Sequence, residues 1–274
     1  MNKNIAEQIM KSSSINLSKY DEAYLNKSIQ NRIVETNCSS IEEYCILLER
    51  DDKEIKIFIE SLHIGYTEFF RNPLTFEVLD HIVLPMLIQK MKNSKRKELR
   101  IWSAACATGQ EAYSLAILLE ELKSNESNSF AYRIFATDKC GPQLEEAMKG
   151  KYVATTLKNI SLKRAEDWFT MQGDIFTVKP ELKENINFSV FDLFDDQLIC
   201  PPASIFGDFD LVVCANLLFY YKPEFRKQIL EKINNCITIG GYFATGETER
   251  EIVMNYDFHE IFPQSAIFQN WRNI

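Results

Sequence analysis

The chain holds 274 residues, 46% hydrophobic and 26% charged, with 39 acidic against 31 basic side chains and a net charge of -8. That is enough chain for one large α/β domain and a small companion. The acidic balance argues against holding nucleic acid by broad charge neutralisation. Seven scattered cysteines without a CxxC pair, and only three histidines, argue against a zinc site and fit reduced thiols in the cytoplasm. The opening "MNKNIAEQIMKSSS" lacks the apolar core of a signal peptide. No apolar run is long enough to span a bilayer, so cytoplasmic localisation without membrane insertion is expected.

Residues 1–64 read as a small helical domain. In "YDEAYLNKSIQNRIVETN", Leu25, Ile29 and Ile33 make one apolar stripe. Ser40 with Glu43 has the spacing of a capping box, and Asp51 with Glu54 repeats it before "IKIFIESL". In that second stretch Ile55, Phe58, Ile59 and Leu62 share a face. After the turn-like "GYTEFFRNP", the segment "TFEVLDHIVLPMLIQKMK" predicts a helix bent or interrupted near Pro85. Lys92, Lys95, Arg96, Lys97 and Arg100 form the densest basic run, read as a solvated loop before a strand.

From residue 99 strands alternate with helices: "LRIWSAA", "YRIFATD", "INFSVFDLF" and "FDLVVCAN" as strands, "QEAYSLAILLEELK", "GPQLEEAMKG" and "KPEFRKQILEKINNCI" as helices. "GGYFATGE" starts a further strand, and "HEIFPQSAIFQNW" supplies the last. The alternation predicts an α/β fold with a doubly wound, mainly parallel sheet over residues 65–274. It lapses around "DWFTMQGDIFTVKPELKE", which predicts a small antiparallel β insertion at about 160–187.

In such a sheet ligands sit beyond the carboxyl ends of the strands. The stretch "IWSAACATGQEAYSLAILLEEL", residues 101–122, has that place: a strand, the small residues Ser103, Ala104 and Ala105, then Gly109 turning into a helix. The three-glycine pattern that makes room for a pyrophosphate is absent, which disfavours a dinucleotide and leaves a smaller nucleoside open. Asp138 closes the second strand, where a carboxylate can accept from both ribose hydroxyls. Asp192 closes the third, within reach of an adenine edge. Glu111 lies in the first helical turn, as a partner for a cationic or hydroxyl group or as a complement to the helix dipole. S-adenosylmethionine, a nucleoside without phosphate, fits this set better than NAD.

With these residues identified, the chain resembles the CheR-type chemotaxis receptor methyltransferases. "TEFFR" at 67–71, "WSAACATGQEAYS" at 102–114, "ATDK" at 136–139, "VCANLLFYY" at 213–221 and "TGETE" at 245–249 carry the likeness in their order and spacing. The resemblance implies a helical domain joined to an S-adenosylmethionine domain of the methyltransferase type, with a three-stranded β insertion. It implies methyl-ester formation on glutamates of chemoreceptor cytoplasmic helices, leaving S-adenosylhomocysteine. It places Thr67, Arg71, Ala104, Ala105, Glu111, Asp138, Asp192, Leu193, Asn216 and Leu217 along the cofactor, with Arg71 and Tyr220 nearest the reacting groups and no metal.

The chain also departs from the family. Ala215 stands where an arginine is usual, and Asp192 precedes Leu193 where an asparagine is usual. Gln110 and Ala112 replace a common glutamate and proline. Near the helix that meets the receptor, Lys19, Lys27 and Arg32 are balanced by Asp21, Glu22 and Glu35, so an acidic partner would be steered weakly. "TMQGDIFTV" is short, and no docking of a receptor's C-terminal peptide is expected. Two alternatives remain: a cofactor-binding regulatory or adaptor protein with little turnover, and a methyltransferase with a non-receptor substrate. Nucleic acid ranks low among the latter, because "NLLF" replaces the Asn/Asp-Pro-Pro-aromatic loop of base methyltransferases.

Overall fold

In a computed structural model the structure describes residues 16–62, 67–125, 130–204, 207–256 and 258–269. The chain divides into two compact units, Met1–Ile64 with Leu218–Lys227, and Gly65–Leu217 with Gln228–Ile274. The first unit thus takes in a ten-residue segment remote in sequence from the helices read as the N-terminal domain.

Among the described residues, the N-terminal part of the first unit contains the α-helices α1 (Glu22–Glu35), α2 (Ile41–Arg50) and α3 (Asp52–Ser61). The Asp21 side chain caps α1 by accepting from the Ala23 and Tyr24 N–H groups. Leu25, Ile29 and Ile33 are buried, as their spacing predicts. Ser40 caps α2 through the Glu43 N–H, while the Glu43 carboxylate returns to Ser39 rather than to Ser40. The second expected box is absent. Asp51 caps α3, but Glu54 turns inward and takes two hydrogen bonds from the Arg32 guanidinium, at 2.9 and 2.7 Å, and one from the Tyr44 hydroxyl at 2.8 Å. A charged partner on α1 outcompetes the local backbone donor. Residues 218–227 join by a bridge between Tyr20 and Tyr221, whose rings stack at 5.1 Å.

The second unit is built on β1 (Glu98–Ala104), β2 (Ala131–Asp138), β3 (Lys151–Val153), β4 (Phe169–Gln172), β5 (Ile175–Val178), β6 (Ile186–Val190), β7 (Phe209–Cys214), β8 (Ile237–Thr245), β9 (His259–Glu260) and β10 (Ile267–Gln269). Seven of these form one sheet in the order β6-β2-β1-β7-β8-β10-β9. The five strands from β6 to β8 are mutually parallel, and β10 and β9 close the edge antiparallel. The C-terminal segment therefore supplies two short strands instead of one. Every residue of β7 is buried, as expected of a central strand covered on both faces. The helix Gln110–Asn125 buries Leu115, Leu118 and Leu119 in the same core.

The antiparallel insertion is the three-stranded sheet β3-β5-β4. It begins at Lys151, before the expected start near residue 160. The helix around Pro85 is interrupted by a π turn over Leu79–Val83, which places Pro85 in the first turn of the next helix, where its missing N–H is harmless. In the basic run Lys92, Lys95 and Lys97 are exposed, as expected, whereas the two arginines are tethered. Arg96 pairs with Asp210, and Arg100 donates to Ser204 at 2.6 Å while lying 4.8 Å from the Phe135 ring centroid.

Candidate functional site

The chain leaves β1 outward to β2 and β6, then returns to the other side of β1 as β7. That reversal is a topological switch point at the carboxyl ends of β1 and β7, the usual ligand position in an open α/β sheet. The loop after β1 is tightly folded there. Ala105, Ala107 and Gly109 all have positive φ, at 64°, 48° and 92°. For the two alanines this conformation is strained and must be held by the surroundings. The Cys106 N–H donates to the Thr137 carbonyl, and the Ala107 N–H to Asp138 Oδ2, both at 2.9 Å.

Asp138 organises the two strand ends. Its Oδ2 accepts from Ala107 and its Oδ1 from the Cys140 N–H, also at 2.9 Å. Burial raises its pKa, and the Cys140 and Ala107 N–H groups and the Lys139 charge oppose the rise. The Lys139 N–H also acts on this carboxylate, and two oxygens with two lone pairs each still leave acceptor capacity for a ligand hydroxyl. Two parallel acceptors on one carboxylate suit a vicinal diol.

Glu111 starts the helix after the loop, and its Oε1 accepts from the Ser103 hydroxyl at 2.6 Å. Its pKa is pushed up to about 7, chiefly by burial and in part by Glu249, against the Ser103 hydrogen bond and the Arg71 charge. A carboxyl poised there is matched to a ligand that brings positive charge. Ser103 was legible in the sequence only as a small residue.

The "TEFFR" turn is pinned from two sides. The Phe69 N–H donates to the Thr156 carbonyl, the Phe70 N–H to Ser114 Oγ at 3.0 Å, and Asn159 reaches both the Phe69 and Phe70 carbonyls. Thr67 and Arg71 flank this turn, both partly exposed. Arg71 acts on Glu111 by its charge. Ala104 is fully buried at the end of β1, and Ala105 is partly exposed.

The remaining expected residues lie in three places. Asp192 lies two residues past the end of β6, exposed, with Oδ1 accepting from the Phe194 N–H at 2.9 Å; Leu193 beside it is buried. Asn216 and Leu217 follow β7, Asn216 with φ of 60°. Tyr220 belongs to the helical unit, where its ring lies 4.7 Å from Tyr24 and its carbonyl accepts from the Asp21 N–H at 2.8 Å. That unit carries a cleft of 560 Å³ lined in part by Tyr24, Lys27, Asn31, Arg32, Phe219 and Tyr220.

Gly109 shows how little room the loop allows. A Cβ there would stand 2.8 Å from Ala147 Cβ, on a φ that side chains avoid. Gly109→Ala should cost about 2–4 kcal/mol of stability in urea unfolding. Gly141→Ala, where a Cβ meets nothing within 4 Å, serves as the control. Equal stabilities of the two variants would refute the packing argument.

Comparison with known proteins adds an independent line. A family model described as "CheR methyltransferase, SAM binding domain" matches residues 65–266, and "CheR methyltransferase, all-alpha domain" matches residues 3–63. Chemotaxis protein methyltransferase 1 of Pseudomonas aeruginosa is 33% identical over 71% of this chain and 69% of its own length. The chemotaxis protein methyltransferase of Borreliella burgdorferi is 29% identical over 86% of this chain and 82% of its own. An uncharacterized 104.1 kDa protein of Rhodobacter capsulatus is 30% identical over 98% of this chain, which spans 27% of that protein. Among the described residues no helix is long and apolar enough to cross a membrane.

Proposed function

Because this chain belongs to the CheR methyltransferase family, we propose that it methylates glutamate side chains of chemoreceptor proteins with S-adenosylmethionine, forming methyl esters in chemotactic adaptation. The observation that carries the reading is the pair Asp138 and Glu111. One is a buried carboxylate at the end of β2 that accepts from the backbone of the loop after β1; the other is an acid at the start of the following helix whose pKa is pushed up to about 7. These acceptors fit ribose hydroxyls and a cationic ligand, and thus S-adenosylmethionine.

S-adenosylmethionine supplies a methyl group on a sulfonium sulfur that leaves as a neutral thioether. Asp138 would accept from the ribose hydroxyls. Leu193 would wall the adenine, and Asp192 would accept from its amino group through the lone pairs that Phe194 does not use. Glu111 would face the positive charge. Thr67, Ala104, Ala105, Asn216 and Leu217 would complete the wall, with the small alanines letting backbone approach. Arg71 would hold the acceptor carboxylate by charge-assisted hydrogen bonds. A glutamate acceptor is ionised at neutral pH, so the chain needs no strong base and acts by orienting groups and excluding water.

The cleft along α1 is our candidate for the acceptor helix. Arg32 in its wall is already satisfied by Glu54 and Glu35, so the cleft offers little net positive charge. This suits an acceptor recognised by shape more than by charge.

The test is methyl transfer from radiolabelled S-adenosylmethionine to a chemoreceptor cytoplasmic fragment. The expected product is a base-labile ester that releases labelled methanol, absent with Arg71→Ala. A base-stable product would sink the ester reading. Cofactor binding without transfer would favour the adaptor reading, which Ala215 in place of the usual arginine makes specific.

A further inference from the structure

Glu249 is a fully buried carboxylate to which the reading above gives no part. It stands after β8, in a turn that packs directly on the one after β7. A Cβ on Gly246 would lie 2.7 Å from Asn216 Nδ2, so the two turns touch at van der Waals distance. We propose that Glu249 is a positioning residue that holds the 214–217 turn in its cofactor-receiving shape by anchoring the backbone of Asn216. The proposal rests on the reading that this turn lines the S-adenosylmethionine site.

The geometry is specific. Asn216 has φ of 60°, a left-handed conformation that a non-glycine residue keeps only when its surroundings impose it. Its N–H donates to Glu249 Oε2 at 2.6 Å. The same oxygen accepts from the Gly246 N–H at 3.3 Å and lies 2.9 Å from the Thr245 hydroxyl, which is also 2.9 Å from the Cys214 carbonyl. One carboxylate oxygen thus ties Asn216, two residues past the end of β7, to Thr245 and Gly246 at the end of β8, where the Thr245 hydroxyl also lies within reach of the last carbonyl of β7.

The tie extends to the arginine segment. Asn216 Oδ1 accepts from Asn72 Nδ2 at 3.3 Å, and Asn72 Oδ1 accepts from the Glu247 N–H at 3.3 Å. Glu247 Oε1 accepts from the Leu74 N–H at 3.1 Å. Arg71 is joined to Asn72 by one peptide bond. Holding residue 216 therefore also fixes the turn that carries Arg71 relative to the cofactor wall. This makes the placement of an acceptor-binding residue depend on a carboxylate that touches neither substrate.

Two conservative variants separate position from charge. Glu249→Gln keeps an acceptor oxygen at the same reach and removes the charge. Glu249→Asp keeps the charge and withdraws the oxygen by one methylene. S-adenosylhomocysteine binding by calorimetry is the first readout on the full chain, and the split of kcat against KM for S-adenosylmethionine is the second. Positioning predicts that Gln stays within about threefold of wild type while Asp loses about tenfold or more in affinity, with a matching rise in KM. Circular dichroism melts should keep both variants folded. The reverse order would overturn the proposal in favour of a charge effect, and equal affinities in all three proteins would overturn it outright. The wild-type titration stands apart: failure of the unaltered protein to bind would refute the methyltransferase reading itself.

Discussion

Asp138→Ala is expected to abolish S-adenosylhomocysteine binding, lowering affinity by a factor of about one hundred or more. Truncation removes both proposed ribose acceptors, and hydrogen bonds to a charged group contribute about 1.5–3 kcal/mol each. It also strips Oδ1 from Cys140 and Oδ2 from Ala107, leaving two N–H groups without their partner. The strained φ values at Ala105 and Ala107 lose an anchor at the same time. Asp138→Asn should be nearly as damaging. One of its two terminal atoms becomes an NH₂ group that must face either the Ala107 or the Cys140 N–H, donor against donor. Calorimetric titration of the three proteins checks this. Binding by Asp138→Ala within a few-fold of wild type would remove Asp138 from the site.

Glu111→Gln should stabilise the free protein above neutral pH and weaken its hold on S-adenosylmethionine. In the unfolded chain this carboxyl ionises near 4.5, and in the native protein only near 7. The native state therefore binds the proton more tightly. Its stabilising effect is complete below about pH 4.5, is lost as pH rises through the window, and is gone above about 7. The difference corresponds to about 3 kcal/mol at the upper end. Gln imitates the protonated acid at every pH. Its melting temperature should exceed that of wild type at pH 8 and converge with it towards pH 4.5.

A bound cation acts in the opposite direction, because it favours the ionised carboxyl. Wild-type affinity for S-adenosylmethionine should rise about tenfold from pH 6 to pH 8, and the rise should vanish in Glu111→Gln. Persistence of the slope in the variant would mean that another group titrates. The two measurements together describe a site whose free form is destabilised by the acid its ligand requires.

Much of the architecture is legible in the sequence, and the reason is local. Helical stripes such as Leu25, Ile29 and Ile33, and the short apolar runs of β1, β2 and β7, depend on residues within a few positions of each other. Asp138 declared itself by closing a strand, and Glu111 by opening a helix. Two of the differences share one cause. Glu54 reads as a local cap in the sequence because Arg32, 22 residues away, is not its neighbour there. Arg96 and Arg100 looked solvated because Asp210 and Ser204 lie more than 100 residues on.

By itself the sequence determined the order of the elements, the parallel α/β class, the absence of a pyrophosphate loop and the family motifs. All of these reside in spacing along the chain. Only the tertiary structure decided which carboxyl is held near neutrality, that residues 218–227 join the helical unit, and that Asn72, Asn216 and Glu249 form one connected polar network. Burial and hydrogen bonding depend on atoms brought together across the fold: the Asn72 and Glu247 pairing spans 175 residues. Periodicity is a property of neighbours, whereas a pKa or a buried anchor is a property of the assembled site.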